Sequence, residues 1–192
     1  MTHNIEKQLE LRIYIGEKGI MEKIWFAEYQ KTGIPETVEL PAENTSLVDI
    51  FESNFKKFGS REAFIFMDKV ITFNELDAAS RKFATYLQSL GLAKGSRVAV
   101  MMPNVLQYPV VAIGVLRAGL ILVNVNPLYT SRELEHQLND SGAEGLVIIE
   151  NFASVYQAIL GKTPVKHVVV ASVGDMLGTL KGTLVNFVLR SV

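Results

Sequence analysis

The 192-residue sequence contains no cysteine. Disulfides, thiol nucleophiles and Cys-ligated zinc or iron–sulfur centres are excluded, and the composition fits a reducing compartment. Charge of one sign is also missing. Nineteen lysines and arginines stand against 20 aspartates and glutamates, for a formal net charge of −1. No global positive field gathers nucleic acid, and none is expected as a partner. No stretch reaches the roughly 18 consecutive apolar residues of a membrane-spanning helix. Arg12 interrupts the short apolar run at residues 11–15, so no secretory leader is expected. Histidine is sparse: His3, His136 and His167 lie far apart, with no H-E-x-x-H. Metal ligands come in clusters, and no metal site is expected.

What is present is material for a core. Hydrophobic residues make up 48% of the chain and charged residues 20%, which excludes general disorder. The length suits one domain of ordinary size. Residues 1–20 differ in texture from the rest and read as an extension outside the fold, with Met21 opening a second plausible start. Residues 28–44 carry Gly33, Pro35 and Pro41 without a sustained period, which predicts an extended lead-in.

Regular elements follow. Ser46 and Asp49 offer a helix cap and a first-turn carboxylate, and Leu47, Ile50, Phe51, Phe55 and Phe58 recur at helical spacing up to Gly59. Residues 63–67 and 70–73 flank Asp68-Lys69 as a hairpin. Thr72 and Glu75 form a capping box, opening a helix whose apolar face is Leu76, Ala79, Phe83, Leu87 and Leu90. Buried strands are then predicted at 97–102, 121–125, 146–150 and 166–171. Between them lie an apolar helix up to Ala118, a polar helix opened by the box Thr130/Glu133, and a helix at 153–160. Strands alternating with helices make βαβ units, and near-continuous Val, Ile and Leu runs suit parallel strands covered on both faces. The fold class is α/β, a largely parallel sheet with flanking helices, preceded by an α+β segment over 21–96. A last apolar helix is predicted within 176–192.

Chemistry is harder to find. Gly161-Lys162-Thr163 imitates the end of a phosphate loop, but Tyr156 stands where the loop needs glycine and Pro164 follows at once; a plain turn is the better reading. No G-x-G-x-x-G or G-x-S-x-G occurs. Glu133, Glu135 and Asp140 share one helix and read as a solvated face. Gly174, Gly178 and Gly182 are spaced by four, either as a small-residue packing face or as loop glycines. Residues 184–189 suit packing against further sequence or, as the alternative, a membrane surface. Asn104 and Asn126 each follow a strand's carboxyl end, the edge that binds ligands in such sheets. They are the candidate cofactor-binding residues, with helix capping or turn formation as the alternative. No catalytic residue can be nominated.

Several phrases resemble the amino-terminal part of the AMP-forming long-chain fatty acid–CoA ligases (acyl-CoA synthetases) of the adenylate-forming superfamily, in their bacterial form. Residues 71–76, Ile-Thr-Phe-Asn-Glu-Leu, look like that superfamily's first core motif. Leu116-Arg117-Ala118-Gly119, running on to Pro127, looks like its second. VAVMMPNVLQYPV (98–110) and VNVNPLYTSRELEHQLNDSGA (123–143) resemble the fatty-acid branch more specifically. The resemblance covers about residues 21–190. It implies that 97–192 opens the nucleotide-binding α/β domain, as an incomplete amino-terminal portion of the fold. It implies an activity that joins fatty acid, ATP and CoA into acyl-CoA, AMP and pyrophosphate through an acyl-adenylate, using Mg²⁺. It also implies a cytoplasmic protein, peripheral at the inner membrane, whose partners are a long-chain fatty acid, the carboxy-terminal sequence and a second subunit. The family's phosphate loop, magnesium-binding glutamate and lid lysine have no counterpart here, so this chain alone is expected to be inactive. The alternative is a non-catalytic α/β binding or assembly module derived from the family.

Overall fold

The computed structural model describes residues 23, 25–37 and 45–191. They belong to two units divided between Glu43 and Asn44, and the expected extension at 1–20 lies outside the described residues. In the first unit the expectation of extended chain is corrected over 28–32, which belong to helix α1 (Phe26–Thr32). Glu28 accepts from Lys31 one turn on, and the N–H of left-handed Gly33 closes the last turn on Tyr29 and Gln30. These local contacts suffice for two turns, although α1 buries no residue.

The second unit opens with α2 (Leu47–Phe58), the antiparallel hairpin β1 (Glu62–Phe66) and β2 (Lys69–Thr72), and α3 (Phe73–Ser89). The expected capping boxes at Thr72/Glu75 and Thr130/Glu133 are formed, and Ser46 with Asp49, expected as a cap and a first-turn carboxylate, closes a full box as well. In the box that opens α3, the Thr72 backbone N–H and hydroxyl donate to the Glu75 carboxylate at 2.7 and 2.9 Å. Those two bonds, the backbone one foremost, hold the Glu75 carboxyl below its ordinary range, and Thr130 acts likewise on Glu133. A lowered folded pKa means that the stabilisation is present above the unfolded value, about pH 4. It is lost as pH falls through the folded value. Thr72→Ala is expected to lower stability by about 1 kcal/mol in urea unfolding at pH 7, and the gap to wild type should narrow below about pH 4.

Four parallel strands make the main sheet: β3 (Arg97–Met101), β4 (Ile121–Val125), β5 (Gly145–Ile149) and β6 (His167–Ala171), in the spatial order β4-β3-β5-β6. The connections carry α4 (Gln107–Arg117), α5 (Ser131–Ser141) and α6 (Ala153–Gln157), and α7 (Thr179–Arg190) follows β6. Alternation along the strands sorts side chains onto two faces. Val98, Val100, Val147 and Ile149 pack with Val111 and Val115 of α4 and Leu87 of α3. Ala99, Met101, Leu146 and Ile148 pack with Leu134 and Leu138 of α5 and with Tyr156 and Ile159. Both faces of β3 and β5 are thus covered, which explains why their sequences read as unbroken apolar runs.

Several boundaries move. Glu150, expected to end a strand, begins a 3₁₀ turn. Helix α6 stops at Gln157, and the following turn carries Ile159 into the core. Pro109 stands third in α4, within the first turn, where its missing N–H leaves no hydrogen bond unmade. Helix α7 starts at Thr179, after Gly178 at φ +84° and ψ 170°, a conformation that needs glycine.

A third cluster joins α2, β2, α3, α4 with the residue at its head, and the 3₁₀ turn that precedes α7 through Phe55, Ile71, Leu76, Leu106, Ile113 and Leu177. At its rim sits Arg117, whose side chain is 6% exposed. Its guanidinium donates to Glu52 at 2.7 Å, to the Ser80 hydroxyl at 2.6 Å, to the Asp77 carbonyl at 2.9 Å and to the Asp77 carboxylate. It also lies 4.8 Å from the Phe55 ring centre.

Candidate functional site

Parallel α/β sheets bind ligands beyond the carboxyl ends of their strands, where the strand order reverses. Here that point lies between β3 and β5, because β4 is added on one side of β3 and β5 and β6 on the other. Both asparagine candidates stand on this edge. Asn104 is exposed in a bend after β3. Asn126 follows β4, and its Oδ1 accepts the Leu128 N–H at 3.0 Å. That bond is an Asx turn and engages the side-chain oxygen in shaping its own loop.

Residues that the sequence did not single out fill the crevice. Gln107, at the first position of α4, is buried and donates through Nε2 to the carbonyls of Ser172 at 2.6 Å and Val173 at 3.3 Å. It therefore reaches from the end of β3 to the end of β6, with β5 lying between them. Glu150, after β5, accepts two hydrogen bonds from Arg190 of α7 at 2.9 and 3.0 Å. This pairing, first through the hydrogen bonds and then through charge, raises the Arg190 pKa above its ordinary value. The Ser172 N–H donates to Asp175 at 2.7 Å, and Arg190 lies 3.4 Å from the Ser172 hydroxyl. The arrangement ties the ends of three strands to α7. It leaves Gln107 Oε1 and Glu150 Oε1 buried without partners among the described residues. Both are acceptors, and the nearby cation is already paired. As it stands, the network presents no positive cradle to a phosphate.

A second polar tie lies at β4, where the Tyr108 hydroxyl donates to Asn124 Oδ1 at 3.0 Å and Gln137 Nε2 donates to the Asn124 carbonyl at 2.9 Å. An open depression of about 730 Å³ runs along α5 between Tyr129 and Asp140. Its lining comes from α5 and the loop before it, so it has one wall and encloses nothing. Gly161-Lys162-Thr163 is a turn after α6, with Gly161 at φ +78° and the Lys162 carbonyl accepting from Asn139 at 3.1 Å. His136 is exposed on α5, and His167 opens β6 half-buried. Glu133 is engaged in its cap. Among the described residues no group of three or more His, Asp or Glu side chains could hold a metal ion.

The class is therefore an open, parallel α/β layer of the ligand-binding type, its crevice packed by its own polar side chains. Comparison with known proteins narrows this. The pattern of the family described as AMP-binding enzyme matches residues 51–188, and the chain belongs to that family. It is 53% identical over 173 residues to a long-chain-fatty-acid–CoA ligase of Escherichia coli O157:H7, covering 90% of this chain and 30% of the relative. Against the ligase of the same description from Bacillus subtilis strain 168 it is 41% identical, covering 85% of this chain and 29% of the relative. The crystal structure of a long-chain-fatty-acid-CoA ligase from Archaeoglobus fulgidus superposes with a TM-score of 0.65 at 30% identity, over 78% of this chain and 31% of that one. The chain thus spans about 30% of the length of the ligases it matches.

Proposed function

We propose that these residues form the opening part of a long-chain fatty acid–CoA ligase, an enzyme that converts fatty acid, ATP and CoA into acyl-CoA, AMP and pyrophosphate through an acyl-adenylate. The observation that carries this reading is the 53% identity over 90% of the chain to the Escherichia coli O157:H7 ligase. Within such an enzyme residues 21–96 act as an α+β lead-in and 97–192 as the start of the nucleotide-binding domain. ATP supplies the activating phosphoryl chemistry and CoA the accepting thiol. The described residues do not fit the role of holding ATP or Mg²⁺, since among them no group of His, Asp and Glu could hold a metal ion and the crevice cation Arg190 is paired with Glu150. Their contribution is a rigid scaffold. Such an enzyme works in the cytoplasm, in contact with the membrane surface from which its substrate comes; no helix among the described residues is long and apolar enough to cross a membrane.

Joining residues 1–192 to the part of the Escherichia coli O157:H7 ligase that has no counterpart here should give AMP formation dependent on oleate, ATP and CoA. A folded fusion without oleate-dependent AMP formation contradicts the reading.

A further inference from the structure

Helix α7 is attached by polar groups rather than by an apolar face. A surface helix normally draws its stability from burying one stripe of apolar side chains. In α7, Gly182 is the one buried residue and Val185 is half-buried against the third cluster, whereas Leu184 and Phe187 are 63% and 69% exposed. What holds the helix is spaced along it. Near its start, Lys181 donates to the Met67 carbonyl and pairs with Asp68 at 3.3 Å, at the turn of the β1–β2 hairpin. At its middle, Gly182 lies against the Gly174 backbone, and Asn186 accepts the Gly174 N–H at 2.7 Å. At its end, Arg190 holds Glu150 at 2.9 and 3.0 Å, just beyond the carboxyl end of β5.

The two ends of α7 are built differently. The amino end has no side-chain cap and follows Gly178, where rotation of the backbone meets no Cβ. The carboxyl end is fastened by the ion pair, whose Arg190 is 61% exposed against 20% for Glu150, and an ion pair open to solvent holds weakly. An element with so few buried apolar contacts belongs to the low-stability end of a fold. We propose that α7 is a hinged strap that pivots at Gly178, is latched by Arg190 on Glu150, and opens as one unit while the sheet stays folded. Opening parts the guanidinium from the carboxylate and exposes Glu150 at the carboxyl edge of the sheet, the edge at which folds of this kind take ligands. It also removes Asn186 from the Gly174 N–H, so that the 3₁₀ turn after β6 loses its hold on the helix.

Amide hydrogen exchange of the 192-residue chain, resolved residue by residue by NMR, tests the strap. The Gly174 N–H reports on it from outside the helix, because its acceptor is Asn186. The amides of Val147 and Ile148 in β5, paired on both sides, report on the sheet. In the wild-type chain, Gly174 and residues 182–186 should exchange through one common opening, about tenfold or more as frequent as that of β5. Arg190→Gln and, separately, Glu150→Gln should raise that opening about two- to fivefold, as fits a part-exposed pair, with β5 unchanged. The double variant should be no more open than either single one, because both remove the same contact. The comparison of α7 with β5 needs no variant to fold. Exchange of 182–186 at the rate of β5 overturns the proposal, since α7 would then come away only when the sheet unfolds. So does an absence of any protection over 182–186, or unchanged exchange in both single variants. Faster exchange confined to 187–190, with Gly174 unmoved, also overturns it by marking a frayed helix end, and an increase that includes β5 does so by marking a loss of overall stability.

Discussion

Arg117→Leu is expected to destabilise the second unit by about 3–5 kcal/mol, the range for removing one partner of a buried ion pair. The reason is the number of groups that this guanidinium serves. Glu52 comes from α2, Asp77 and Ser80 come from α3, and Arg117 ends α4, so one side chain fastens three helices. Leucine supplies apolar volume against Phe55 but leaves two carboxylates facing each other and the Ser80 hydroxyl without its donor. Arg81, which also reaches Glu52 at 2.5 Å and Asp77 at 2.9 Å, is more than half exposed and recovers little, since exposed pairs contribute about 0–1 kcal/mol. Arg117→Lys keeps the charge but not the planar fork, so it should recover only part of the loss. Urea unfolding of the three proteins checks this. A loss below about 1 kcal/mol for Arg117→Leu, as expected of an exposed pair, would show that the network is incidental.

Gly182→Ala should release α7. A Cβ built on Gly182 overlaps the carbonyl oxygen of Gly174, and one built on Gly174 overlaps the carbonyl of Gly182 and the Asn186 amide. For Gly182 every obstructing atom is main chain and cannot rotate aside. Overpacking of this kind costs about 1–3 kcal/mol, and the upper end applies because two backbones must separate. With so little else buried in α7, separation means undocking rather than strain. Limited proteolysis should then cut within 179–190, and Gly174→Ala should do the same, with the double variant little worse than either. Unchanged protease resistance in Gly182→Ala would refute the glycine contact.

These two sites show what could be read from the sequence and what could not. The capping boxes at Thr72 and Thr130, the cap at Ser46, the hairpin and the four strands were legible because each is encoded locally, by a side chain reaching its own helix start or by a run of β-branched residues. Arg117 was not. At the end of an apolar helix, just before a glycine, it looks like an ordinary last-turn cation, and its partners Glu52 and Asp77 lie 65 and 40 residues away. The spacing of Gly174, Gly178 and Gly182 signalled close packing, but the contact joins a 3₁₀ turn to a helix and does not run along one helical stripe. Helix α1 was hidden by Gly33 and Pro35, which end it. That Asn104 and Asn126 stand beyond strand carboxyl ends was legible from the order of the elements alone, while the Asx turn that engages Asn126 was the alternative read beside it. Gln107 was missed because a glutamine at a helix start gives no sign that it will bridge to the end of β6. One signal was available in hindsight: a polar residue amid the apolar run 105–115, which is rarely buried without a specific partner.

On the proposed function, residues 1–192 serve as scaffold and carry none of the adenylating chemistry. The most direct test is pyrophosphate release by the purified 192-residue chain supplied with ATP, Mg²⁺ and oleate. The expected result is no oleate-dependent release above a protein-free control. Sustained release that requires both ATP and oleate would contradict the scaffold role, placing an adenylation site among residues engaged in packing, caps and turns.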